Sequence, residues 1–251
     1  MKKTNLWTAI FIGISLLSFS RNSFQNRFSF SLKETKFNLE LKYTPEQNYL
    51  FETIKQRRTV RKFAPTLVPK EHILKILDAA RFAPTAGNQQ PWKFLVIENR
   101  VKLDKLKEEA FAWYFELSKS KKELEQTELD SLREKIRNLL ENVLSAPVYI
   151  AVLVDSHEKY PDYIIYDGSL AAGNLMIAAR SLGYGTGFFT TFFPEEKMKE
   201  FFNIPDQYKL ICFTPIGVPE KWPETPSKKK LEDLVIFESF EPEISSFWIG
   251  R

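Results

Sequence analysis

RRTVRKF, residues 57–63, sets Arg57, Arg58, Arg61 and Lys62 close together around Thr59. Guanidinium forks match the oxygens of a phosphate bidentately, and the threonine hydroxyl adds a donor of short reach. On a helix, Arg57 and Arg61 would stand at i and i+4, a like-charge pairing that costs a few tenths of a kcal/mol. The segment therefore reads in two ways, as a phosphate grip or as the solvated basic end of a helix, where the macrodipole favours cations. A second basic run, Lys228-Lys229-Lys230, lies far along the chain and joins the first only if the fold brings it there.

The loop APTAGNQQPWKF, residues 83–94, is the other stretch with chemical content. Pro84 stops a helix, Thr85 and Asn88 offer polar side chains, Gly87 permits positive φ, and Pro91-Trp92 leads into an apolar strand. That is more than a plain turn needs.

Regular elements must hold these two segments. Thr44-Pro45-Glu46 predicts a capped helix with proline at its first position, in which Tyr49, Leu50, Thr53 and Ile54 recur at helical spacing. A second helix is expected from Pro69 or Lys70 to Ala80, with Ile73, Leu74, Ile76 and Leu77 inward. WKFLVIEN, VYIAVLVD (148–155) and KLICFTPIG read as buried strands, and TGFFTTFF as a further one. Charged helices are expected over 101–119 and 127–144, a helix rich in small residues over 167–182, and a short helix from Pro194. Interleaved helices and strands give a mixed class. GYGTG (183–187) follows a helix, whereas a dinucleotide-binding turn follows a strand, so it reads as a helix C-cap and strand entry.

Composition narrows the function. A chain of 251 residues, 43% hydrophobic, can bury one substantial core. The net charge of +4, with 36 basic residues dispersed among 32 acidic ones, argues against a nucleic-acid partner. The sole cysteine, Cys212, sits in an apolar run and reads as a small buried hydrophobe rather than a reactive thiol. With His72 and His157 the only histidines, no metal site is expected.

The first residues are of another kind. Two early lysines precede an apolar stretch over 6–20 that fits a signal peptide, a membrane anchor, or translation from an upstream start codon. Three parts follow: this segment with its linker (1–44), a main domain (45–238) and a C-terminal extension (239–251).

The pairing of RRTVR with PTAGNQQPW resembles the nitroreductase family of flavin mononucleotide (FMN) enzymes over about residues 50–238. The resemblance implies an α+β, three-layer fold, a central mixed sheet flanked by helices, in an intertwined homodimer. It also implies that Arg57, Arg58, Thr59 and Arg61 hold the FMN phosphate and approach the pyrimidine edge. Pro84, Thr85, Ala86 and Asn88 would meet flavin bound by the neighbouring subunit. Lys228 stands where relatives carry an arginine, keeping the charge without the fork, and Lys229 is an alternative. Thr190, with Thr191 as fallback, falls where some relatives place a hydroxyl near flavin N5.

The activity so implied is transfer of electrons from NAD(P)H, as co-substrate, to a nitroaromatic, quinone or similar small-molecule acceptor by a ping-pong cycle. No catalytic acid or base stands out. Residues 101–145 would form the cover, their Phe111, Trp113, Tyr114 and Phe115 spanning more than one helical face, with Trp113 or Tyr114 lining the substrate opening. The Glu-Tyr-Lys trio by which dehalogenating relatives clamp iodotyrosine has no match in spacing here. A flavin-holding or membrane-tethered electron-transfer protein without NAD(P)H turnover, and a dehalogenase or flavin-cleaving enzyme, are the alternatives. Cytoplasmic residence is expected because FMN is loaded there, with anchoring or export through the apolar segment as the alternative.

Overall fold

The computed structural model describes residues 44–120, 125–190, 193–236 and 240. The apolar segment over 6–20, Thr191 and nearly all of the C-terminal extension lie outside the described residues.

Helix α1 (Pro45–Gln56) starts where the sequence signals it: Thr44 Oγ1 accepts the Gln47 N–H at 3.2 Å while Gln47 Oε1 accepts the Thr44 N–H at 2.9 Å. This reciprocal cap satisfies two of the donors a helix start leaves open. The helix stops at Gln56, and Arg57 turns extended with ψ 132°. Arg57 and Arg61 therefore do not share a helical face, and their expected repulsion does not arise.

Helix α2 (Lys70–Ala80) buries Ile73, Ile76 and Ala80, but Leu74 faces out. Strand β1 (Trp92–Ile97), helices α3 (Arg100–Lys119) and α4 (Gln126–Val143), and strand β2 (Val148–Asp155) follow. Then come α5 (Ile164–Ser181), α6 (Glu195–Phe202) and β3 (Tyr208–Ile216).

The sheet runs β1-β2-β3, antiparallel throughout, with Ala151 opposite Leu95 on one side and Phe213 on the other. The unbroken apolar run of β2 is explained by its central place, covered on both faces. Tyr149, Ala151, Leu153 and Phe213 pack with α3, α4 and α6. Ile150, Val152, Val154 and Cys212 pack with α2 and α5. These are the three layers expected.

Two details differ from the sequence reading. Among the described residues, parallel pairing occurs only as an isolated bridge between Thr59 and Thr186, so the sheet is antiparallel rather than mixed. The stretch from Thr186 is not a continuous strand. Gly185 bridges Gly217 and Phe189 bridges Phe213, with Gly187 and Phe188 unpaired between them. Close approach replaces regular pairing: a Cβ on Gly187 would lie 2.7 Å from the Phe189 ring.

Candidate functional site

Helix α5 is the axis on which both candidate segments are hung. Its small residues Ala171, Ala172 and Ala179 are fully buried, and a Cβ on Gly168 would come within 2.5 Å of Ile211 and 2.6 Å of Val154. The helix thus sits hard against the sheet, and whatever its ends carry is fixed to the core.

At its C-terminal end lies the basic segment. Arg180 Nη2 donates to Gln56 Oε1 at 2.7 Å and its guanidinium lies 3.9 Å over the Trp222 ring, locking α1, α5 and the loop after β3 together. Val60 N–H bonds to Thr186 O, Ala64 N–H to Val218 O and Glu220 N–H to Lys62 O, so residues 60–64 are laced to the chain on both sides. Val60 and Phe63 are buried, which turns the intervening Arg61 and Lys62 outward. Thr59 lies beside Gly187, its Cγ2 within 3.4 Å of where a Cβ would stand.

The arginines divide by role. Arg58 directs Nη1 to the carbonyls of Lys55 (2.6 Å) and Arg57 (2.7 Å) and Nη2 to Thr225 Oγ1. Its fork is committed within the chain rather than open to a ligand, and its buried Nε has no partner among the described residues. An orphaned buried donor is costly and calls for an acceptor. For Arg57, Arg61, Lys62, Lys228 and Lys229, no carboxylate among the described residues lies within ion-pair distance. The Arg58–Thr225 contact brings the chain shortly before Lys228 and Lys229 to the basic segment, and both lysines are exposed in a stretch without regular secondary structure.

At the other end of α5 stands the loop. Thr85 is extended, Ala86–Asn88 makes one 3₁₀ turn, and Gly87, Asn88 and Gln90 take φ of 54°, 57° and 50°. Glycine is required at 87 twice over, by its φ and because a Cβ would lie 2.4 Å from the Tyr160 ring. Pro84 and Asn88 are exposed, Thr85 and Ala86 half-buried. Beneath them Asp167, 3% exposed, accepts the Ala86 N–H at 3.1 Å and Gln89 Nε2 at 2.7 Å. Gln89 also pairs with both backbone groups of Tyr160, donating to its carbonyl at 3.2 Å and accepting its N–H at 2.8 Å.

Thr190 is exposed, near the end of the irregular segment that begins beside Thr59. The expected cover is the α3–α4 pair. Trp113 meets Phe193 edge-on at 5.8 Å and Tyr114 at 4.8 Å, while Phe111 and Phe115 stack at 6.0 Å beneath Arg133 and Arg137. Burial pushes the Tyr114 hydroxyl pKa up. All four aromatics are half-buried against the core, so α4 absorbs much of the surface that the sequence suggested would line an opening. A hollow of about 280 Å³ between α3 and α4, lined by Phe111, Arg137 and Leu140 among others, touches none of the candidate cofactor-binding residues.

Sequence reasoning missed Asp167, Gln89, Arg180, Trp222 and Thr225. An acid opening an otherwise apolar run, DGSLAAGNL, was the one available signal for Asp167. The other partnerships join residues far apart in the chain and leave no local pattern.

An antiparallel sheet between two helical layers, with a cationic segment and a left-handed polar loop fixed to one buried helix, defines a class of α+β protein. The nitroreductase family model matches residues 54–218, and the chain belongs to that family. Over 180 residues it is 33% identical to a protein of Methanothermobacter thermautotrophicus provisionally named an NADH dehydrogenase/NAD(P)H nitroreductase, spanning 70% of this chain and 80% of that one. The iodotyrosine deiodinase of Thermotoga neapolitana is 25% identical over 201 residues, 76% of this chain and 98% of its own. A solved oxidized iodotyrosine deiodinase bound to FMN and 3-iodo-L-tyrosine shares the fold with TM-score 0.62 at 23% identity, covering 76% of this chain and 100% of that one.

Proposed function

We propose that the protein is an FMN-dependent oxidoreductase, active as a homodimer, that passes electrons from NAD(P)H to nitroaromatic, quinone or similar electrophilic acceptors. The observation that carries this reading is the group of cations around Thr59 (Arg57, Arg61 and Lys62) that have no ion-paired carboxylate among the described residues. Such a group suits the phosphate of FMN, and the family to which the chain belongs includes proteins solved with FMN.

FMN would supply the electron chemistry, taking hydride from nicotinamide and handing electrons to the acceptor. The chain supplies placement and charge. Arg57, Lys228 and Lys229 would hold the phosphate, with Thr59 as a hydroxyl donor and Arg58 bracing the segment through Lys55, Arg57 and Thr225. Arg61 stands toward the pyrimidine edge, where a cation favours the negative charge that reduction brings. Thr190 offers its hydroxyl to the N5 side. Pro84, Thr85, Ala86 and Asn88 cover the ring from the second copy.

The spacing of the two segments supports a second copy. Asp167, which holds the loop, and Arg180, which abuts the basic segment, occupy opposite ends of α5, roughly 20 Å apart along the axis at 1.5 Å per residue. The loop of one chain is thus better placed to serve a nucleotide gripped by another. Tyr49, Leu50 and Ile54 on α1, with Ile165, Tyr166 and Leu170 on α5, are each 46–67% exposed although their helices are amphipathic or apolar. Two such faces suit an isologous contact between copies.

The main domain would act in the cytoplasm, where FMN is loaded; cell fractionation of a tagged protein checks this. No helix among the described residues is long and apolar enough to cross a membrane. Purified protein loaded with FMN should be yellow and bleach rapidly with NADH or NADPH under anaerobic conditions, then recover its colour on adding a quinone. Colour without bleaching by either nicotinamide would overturn the oxidoreductase reading in favour of a flavin-holding protein.

A further inference from the structure

We propose that Asp167 and Gln89 are positioning residues that set the shape of the flavin-facing loop, so that a buried carboxylate which touches no ligand governs how tightly FMN is held. This rests on the reading above, in which residues 84–88 face the ring of a nucleotide bound by the second copy.

The argument begins from strain. Three consecutive loop positions but one, Gly87, Asn88 and Gln90, are left-handed, and two of them are not glycine. Such residues cost free energy and persist only where the surroundings over-determine them. Three elements do so here. From below, both oxygens of Asp167 act as acceptors, one for the Ala86 N–H and one for Gln89 Nε2. From the side, the Gln89 amide pairs with Tyr160 as a strand neighbour would, using its own N–H and carbonyl oxygen as backbone groups do. From within, Gln90 N–H reaches Thr85 Oγ1 at 3.4 Å and its side chain reaches Asn88 Oδ1 at 3.1 Å. The Asn88 and Gln89 amides bond to the Thr85 and Ala86 carbonyls.

Of the amides from Ala86 to Gln90, only that of Gly87 has no acceptor among the described residues. The loop's hydrogen bonds are thus closed inward, save for the N–H of the exposed Gly87. Asp167 does this from a helix whose neighbouring Gly168 is jammed against Ile211 and Val154, so the anchor cannot drift.

The logic of the pair is directional. Asp167 supplies two acceptors, Gln89 one donor group and one acceptor, and Tyr160 one of each. In Asp167→Asn the new amide would confront the Gln89 amide, N–H₂ against N–H₂. Flipping Gln89 relieves that clash only by turning its N–H₂ on the Tyr160 N–H. In the double variant Asp167→Asn/Gln89→Glu, the carboxylate on residue 89 again accepts from residue 167 and from the Tyr160 N–H, at the cost of the bond that Gln89 Nε2 gives the Tyr160 carbonyl. The acceptor for Ala86 remains throughout.

The test uses the full chain titrated with FMN, read by flavin fluorescence and by the visible circular dichroism of bound flavin. Asp167→Asn is expected to raise the FMN Kd about tenfold or more and to alter the dichroism at saturation. Asp167→Asn/Gln89→Glu should recover part of both, the bond to the Tyr160 carbonyl staying lost. Wild-type binding and dichroism in Asp167→Asn would overturn the proposal, as would a double variant no better than the single one. Should Asp167→Asn fail to fold, Gln89→Leu replaces it: weakened binding supports the proposal and unchanged binding overturns it. If the wild-type chain itself takes up no FMN, the functional reading falls, and this inference with it; loss confined to the variants separates the two.

Discussion

The two ends of α5 solve opposite problems. At the C-terminal end, Arg57 and Arg61 are cations without an ion-paired carboxylate among the described residues, on a segment held by backbone bonds and by neighbours such as Arg180 and Trp222. At the N-terminal end, the loop over 85–90 has turned nearly every polar group inward, onto Asp167, Tyr160 and itself. The first end is a set of cations on a backbone laced to the core. The second is a shape, held by neutral and charged acceptors that are already satisfied. The contrast teaches that electrostatic free energy for a ligand belongs to one end and geometric selectivity to the other.

Several substitutions would break or sharpen this contrast. Removing two open cations in Arg57→Ala/Arg61→Ala should weaken FMN binding by about 100-fold or more, from loss of charge-assisted hydrogen bonds worth about 1.5–3 kcal/mol each. The melting temperature should barely move, since neither side chain has a hydrogen bond within the described residues. Equilibrium titration and thermal scanning separate the two effects, and a large loss of stability would erase the distinction between the ends.

Gly168→Ala presses a methyl into Ile211 and Val154, and should destabilise the fold by about 1–3 kcal/mol in urea unfolding. It should do so with or without FMN, because it acts on the anchor common to both ends. Gly87→Ala strains the loop alone, through its φ of 54° and the Tyr160 ring. A cost of about 1–2 kcal/mol in stability is expected, together with FMN binding weakened about tenfold.

The smallest effect at neutral pH comes from Cys212, whose thiol is pushed from 9.0 up to about 12 by burial beneath α5. A folded pKa raised above the unfolded one means that the unfolded chain ionises first as pH rises. The contribution is therefore intact below about pH 9 and is lost progressively toward pH 12. Burial of Tyr149 and Tyr184 raises their pKa values and acts in the same direction. Melting temperatures measured from pH 8 to 11 should fall above pH 9, and the native thiol should stay inert to a thiol reagent at pH 8.

Much of this architecture was legible from periodicity. The bounds of β2 and α2, the cap at Thr44 and the termination before Pro84 follow from local rules that need no distant partner. The segment after Gly183 was not legible. TGFFTTFF has strand composition, yet Gly187 lets the chain press onto Phe189 instead of pairing regularly. The apolar residues left exposed on α1 and α5 were not separable in the sequence from core positions, because helical spacing reveals an apolar face and not what covers it. At the site, the cationic side chains declared themselves by type and spacing. Asp167 and the committed fork of Arg58 did not, because their roles depend on partners 78 and 167 residues away.

Native mass spectrometry of the FMN-loaded protein tests the central claim most directly. Two chains carrying two FMN molecules, with dissociation into single chains releasing both nucleotides together, is the outcome predicted. A single chain that retains one FMN, or a dimer that takes up none, would contradict it.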